Sequence, residues 1–155
     1  DLENISDYKN KNKALEGVAY NKKYGVVTAP EVALKKEDKK FHMLYAKNNT
    51  WKFPSCGSIT ALEFIKNDEI LVLERNFNKK TKARVTTLTK VSLDTCSTGV
   101  CKSKILAKLE SKKGWKIDNF EGLTKIKENK FLMISDSQES SAQKTLLVLF
   151  EVLED

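Results

Sequence analysis

The chain has 155 residues, of which 40% are hydrophobic and 32% charged, a balance that supports one real core and excludes long disorder. No apolar run approaches the roughly 20 residues that a membrane-spanning helix needs. Twenty-eight lysines and arginines against 21 acids give a net charge of +7. The lysines nevertheless fall in turn-like pairs (Lys22-Lys23, Lys35-Lys36, Lys39-Lys40, Lys79-Lys80, Lys112-Lys113) with no interleaved aromatic platform, which argues against a nucleic-acid surface.

Asp1 opens the sequence without an initiator methionine or an apolar leader, so a mature product or an excised piece is expected. From there, short apolar runs bounded by Asn, Lys, Asp, Gly or Pro predict strands near Gly17 to Tyr20, Tyr24 to Ala29, Phe41 to Ala46, Thr50 to Phe53, Ser58 to Ile65 and Glu69 to Asn76. Further strands are predicted near Arg84 to Leu93, Ser103 to Leu109, Phe120 to Ile126, Lys130 to Ser135 and Thr145 to Val152. Helix is plausible only in short pieces such as Val32 to Lys40, where a charged loop would look the same.

A hairpin repeats along the chain. LEGVAYNKKYGVVTAPE (Leu15 to Glu31) aligns with FEGLTKIKENKFLMISD (Phe120 to Asp136), placing Glu16 over Glu121, Gly17 over Gly122 and Glu31 over Asp136. TALEFIKNDEILVLER (Thr60 to Arg75) is an intervening copy in which Ala61 takes the glycine position. The spacing is close to blade length, so eleven strands divide as two sheets of four and one of three. The expectation is an all-β, propeller-like fold of about three antiparallel blades, covering 14–54, 58–110 and 117–153 within a single partial domain at 1–155, half of a six-bladed ring.

ALEGVAY (Ala14 to Tyr20), SITALEF with EILVLERNF (Ser58 to Phe64, Glu69 to Phe77) and IDNFEGLT with FLMISDSQ (Ile117 to Thr124, Phe131 to Gln138) resemble successive signatures of the phytase-like family, labelled "esterase-like activity of phytase". The resemblance spans nearly the whole chain. It implies the C-terminal half of the family's domain and a phosphoesterase-like reaction on a phosphorylated small molecule, with calcium or another divalent cation. The alternative is a non-catalytic propeller module that binds a ligand or protein partner at the channel mouth.

Glu16 and Glu121, just before inner-strand glycines, would place carboxylates at one mouth of a channel, suited to a cation or to acid/base work. Glu31, Glu74, Arg75, Ser135 and Asp136 end the second strands and form the next group. Arg75 would hold a phosphate bidentately, and Glu74-Arg75 equally fits an ion pair between blades. On this reading Glu121, Asp136, Glu74 and Arg75 are the catalytic candidates, with Glu121 and Asp136 also the metal candidates. Glu16, Glu31, Asp118, Asn119 and Ser135 are the ligand-binding candidates, although Asp118-Asn119 also fits an Asx-type turn.

The lone His42, between Phe41 and Met43, reads as a packed or surface residue rather than a base. No nucleophile elbow, Walker loop or HExxH occurs, and one histidine without a CxxC disfavours zinc. Cys96 and Cys101 enclose a short loop containing Gly99, so a disulfide is feasible in an oxidising compartment. With the resemblance, this gives a periplasmic or secreted expectation. Open blade faces lead to the expectation of association, either with the missing N-terminal half of the domain or with a second copy.

Overall fold

The computed structural model describes residues 4–9, 13–97, 99–137 and 143–153, which form three antiparallel sheets. The first sheet runs β1 (Leu15–Asn21), β2 (Gly25–Pro30), β3 (Phe41–Tyr45) and β4 (Thr50–Pro54). The middle sheet runs β5 (Ser58–Lys66), β6 (Glu69–Asn78), β7 (Ala83–Ser92) and β8 (Lys102–Glu110). The third has the order β11 (Leu147–Glu151), β10 (Lys130–Asp136), β9 (Asn119–Lys127). All eleven strands and their division into four, four and three are those anticipated from the sequence.

Tight turns drive the consecutive pairing. Gly25, at a φ of 73°, closes the β1–β2 turn in a left-handed conformation that costs glycine nothing. At 32–40 the chain takes the loop alternative. It forms turns rather than a helix, because local bonds close short loops there: Glu37 N–H donates to the Leu34 carbonyl, Phe41 N–H to that of Asp38, and Leu34 N–H to the Glu37 carboxylate.

The sheets stack face to face, with β1 packed on β5 and β5 on β9. One core lies between the first and middle sheets and includes Val27, Leu44, Phe53, Leu62, Ile70 and Val72. The other lies between the middle and third sheets and includes Ala61, Leu71, Leu73, Phe120, Phe131 and Met133. The middle sheet is therefore covered on both faces, which explains why β5 and β6 read as near-continuous apolar runs while β10 alternates. Phe131, fully buried and stacked on Phe150 with ring centroids 5.7 Å apart, contributes about 1.5 to 3 kcal/mol by burial alone. Truncating it to alanine removes about 3 to 5 kcal/mol once the cavity is counted.

The internal repeat is exact at the level of register. Gly17 faces Ala29, Ala61 faces Leu73, and Gly122 faces Ile134. In all three hairpins a β-bulge interrupts the ladder immediately before that position, and the extra residue is Glu16, Thr60 or Glu121. A bulge re-aims the side chain it carries. The opposing strand positions beyond the bulge are Glu31, Arg75 and Asp136.

Candidate functional site

The bulges bring charged groups to one end of the stack. Glu31 follows β2, and its backbone joins two sheets: its N–H donates to the Ala14 carbonyl at 2.9 Å and its carbonyl accepts from Ile59 N–H at 2.9 Å. Its buried carboxylate lies 2.6 Å from Lys13 Nζ and 3.6 Å from Arg75 Nη2. Arg75, in β6, donates through Nη1 to Glu121 Oε1 at 3.0 Å and to Asn119 Oδ1. Asn119 Nδ2 in turn donates to Glu121 Oε1 at 2.6 Å. One guanidinium on the middle sheet thus holds groups from the other two.

Glu16 stands exposed beside this network, and its carboxyl is held above the ordinary glutamate range. Partial burial is the largest cause, followed by repulsion from Glu31 and Glu121, with Arg75 and Lys13 pulling the other way. Beside Arg75 opens a cavity of about 470 Å³ whose charged lining is Lys13, Glu31, Arg75, Arg84 and Asp118. Arg84 Nη1 reaches Asp118 Oδ1 at 3.5 Å across its wall.

The other candidates fall elsewhere. Successive strand residues point to opposite faces, so Glu74 turns away from the Arg75 side into the core. There it is fully buried and accepts from Cys56 N–H at 2.7 Å and Thr89 Oγ1 at 2.9 Å, with His42 Nε2 at 3.3 Å. Ser135 is also buried. Its hydroxyl donates to the Lys144 carbonyl at 2.7 Å and accepts from Leu146 N–H at 2.8 Å, fixing the approach to β11. Asp136 lies opposite Asn119 at the end of β10. Asp118 accepts from Asn119 N–H and from Lys144 N–H at 2.8 Å, so it shapes the turn before β9 as well as the cavity wall. Cys96 and Cys101 are joined by a disulfide, and Cys56 is free.

A family model described as Phytase-like, esterase-like activity of phytase, matches residues 4–138. The chain belongs to this family. No curated protein and no solved structure matches it. Within this phytase-like chain, Glu16, Glu31, Arg75, Asn119 and Glu121 come together, and Asp118 borders the same cavity.

Lys13 and Arg84 escaped sequence reasoning. Lys13 sits in a lysine-rich stretch ahead of β1, and Arg84 looked like the ordinary start of a strand. The only signal for either was position, Lys13 two residues before the first repeat copy and Arg84 on the strand paired with that of Arg75.

Glu31 and Glu121 direct their carboxylates at Lys13 and Arg75, and among the described residues no group of three or more His, Cys, Asp or Glu side chains converges closely enough to hold a metal ion. A guanidinium occupies the point on which those carboxylates converge.

Proposed function

We propose that this phytase-like chain binds the phosphate of a phosphorylated small molecule at the Arg75 cavity and hydrolyses its ester. The observation that carries this reading is the grouping of three cationic side chains, Lys13, Arg75 and Arg84, on one cavity of about 470 Å³, a volume suited to a small ligand. Guanidinium groups offer paired donors that match phosphate oxygens. Glu16 does not line the cavity itself but interacts electrostatically with Glu31, Arg75 and Lys13, which do, and in this reading it supplies the acid: a carboxyl raised above its ordinary range stays protonated longer and can deliver that proton to the leaving oxygen. Water adds to phosphorus, the phosphorus–oxygen ester bond breaks, and the alcohol leaves carrying the Glu16 proton, which the attacking water's proton replaces.

The binding-only alternative has its own support, since Arg75 already finds acceptors in Glu31, Asn119 and Glu121 without any ligand. Assay of p-nitrophenyl phosphate with and without calcium separates the two. The catalytic reading expects turnover by the native chain without added metal, and a loss of at least about 100-fold in kcat/KM for both Arg75→Met and Glu16→Gln. Phosphate binding that is abolished by Arg75→Met, without turnover in the native chain, supports the binding module instead.

The Cys96–Cys101 disulfide supports an exported location, because such bonds persist in oxidising compartments. Thiol labelling of the denatured, unreduced protein should modify Cys56 alone; labelling of all three cysteines contradicts that assignment.

A further inference from the structure

The hairpin of β6 and β7 turns one face toward the third sheet. Leu73 and Leu88 pack there, and strand alternation carries the same face on through Arg75 and Phe77 of β6 and back through Thr86 and Arg84 of β7. The register sets Arg75 opposite Thr86 and Phe77 opposite Arg84. Directly opposed residues share a face and have neighbouring side chains. All four line the cavity.

The two arginines reach across to the start of β9. Arg84 Nη1 lies 3.5 Å from Asp118 Oδ1, and Arg75 Nη1 donates to Asn119 Oδ1 and, at 3.0 Å, to Glu121 Oε1. A guanidinium carries five N–H donors, so the two on Arg75 Nη1 are taken and three remain. Arg75 Nε makes no hydrogen bond among the described residues, and Nη2 stops 3.6 Å from Glu31 Oε1, beyond hydrogen-bond length. Nε and Nη2 form the edge whose parallel N–H groups match two oxygens of a phosphate. The acids around it are already offset: Glu31 has Lys13 at 2.6 Å, Asp118 has Arg84, and Glu121 has Arg75.

Thr86 stands at the foot of these two bridges, opposite Arg75 and two residues from Arg84 on the same face. It is 2% exposed. Its hydroxyl finds no hydrogen-bond partner among the described residues, and yet no buried side-chain oxygen or nitrogen there is both sealed from solvent and unpaired. The hydroxyl therefore opens onto the cavity that Thr86 lines. Such a group can donate to an incoming oxygen without first breaking a bond inside the protein, and a hydrogen bond to a charged acceptor is among the stronger ones.

We propose that Thr86 is a ligand of the phosphate, which sits over it between the Arg75 and Arg84 guanidinium groups and takes the Thr86 hydroxyl proton in a hydrogen bond to a terminal oxygen. This rests on the phosphate-binding part of the reading above and not on hydrolysis. The test is isothermal titration calorimetry with inorganic phosphate at pH 7 on the native chain, Thr86→Val, Thr86→Ser and Arg75→Met, alongside urea unfolding of each. Thr86→Val keeps the shape and removes only the hydroxyl. It should weaken phosphate binding about tenfold or more, while its urea midpoint without phosphate equals or exceeds that of the native chain, because no bond within the protein is lost. Thr86→Ser should restore binding to within about threefold of native, and added phosphate should raise its urea midpoint as it does for the native chain. Phosphate binding that Arg75→Met abolishes but Thr86→Val leaves unchanged would overturn this assignment alone and leave the phosphate site standing. A lowered midpoint in Thr86→Val, or binding by Thr86→Ser as weak as by Thr86→Val, would make Thr86 a packing residue and also overturn it. A native chain that binds no phosphate would overturn the phosphate reading of the cavity, and the role of Thr86 with it.

Discussion

Glu74 and Arg75 are neighbours on β6 that enter opposite environments. Glu74 is enclosed among His42, Thr89 and the Cys56 amide in the core, whereas Arg75 is about one third exposed and reaches into a cavity. A charged group is structural in one place and available in the other. What decides is the strand's alternation together with the close approach of Gly57, whose backbone lies against that of Arg75 and whose carbonyl is 2.7 Å from His42 Nε2.

The sharpest way to break the comparison is Glu74→Ala. It leaves the Cys56 amide and Thr89 hydroxyl without their acceptor and strips the buried His42 of its carboxylate, which should cost about 3 to 5 kcal/mol. Urea unfolding measures it, and a change below about 1 kcal/mol would mean that the network does not hold the core. Next comes Gly57→Ala. A Cβ there would lie 2.4 Å from the Arg75 carbonyl oxygen, a backbone atom that cannot swing aside. The expected loss is about 1 to 3 kcal/mol, with the cavity distorted as well, so phosphate binding should fall alongside stability.

Arg75→Met should separate the two environments. Its pair with Glu121 is solvent-screened and the buried Glu31 carboxylate keeps Lys13, so the stability change should stay below about 1 kcal/mol while phosphate binding is lost. A stability loss comparable to that of Glu74→Ala would make Arg75 a structural tie between the sheets.

The strands were legible because each is a short apolar run closed by a turn, and the pairing of Glu16 with Glu121 was legible because EG recurs at the same distance from an acidic strand end. The bulges were not. Nothing in the letters LEG or FEG says that one residue is extruded from the ladder, even though the alignment already sets Thr60 in the place of Glu16 and Glu121. Glu74 and Arg75 looked equivalent because sequence order gives alternation but not which face the next sheet covers. Lys13 and Arg84 became site residues only through folding, when separate sheets met around Arg75.

The smallest effect carries the clearest sign. The Glu16 carboxyl is raised above its ordinary value of 4.5, so folding favours its protonated form. Its contribution to stability is present in full below the unfolded pKa and is lost as pH rises through the folded one. Glu16→Gln should therefore be slightly more stable than the native chain at pH 7, by less than about 0.5 kcal/mol given the exposure of the group, and the gap should vanish below about pH 4. Asp68 provides the opposite case. Hydrogen bonds from Lys23 and Tyr24 hold it below its ordinary value, so Asp68→Asn should be less stable than the native chain at neutral pH, with that gap closing as pH falls through the lowered pKa. Urea midpoints at pH 3.5 and pH 7 for both variants decide the matter. If Glu16→Gln behaves like Asp68→Asn, Glu16 is stabilised as an anion by Arg75 and Lys13, and it cannot serve as the proton donor at this cavity.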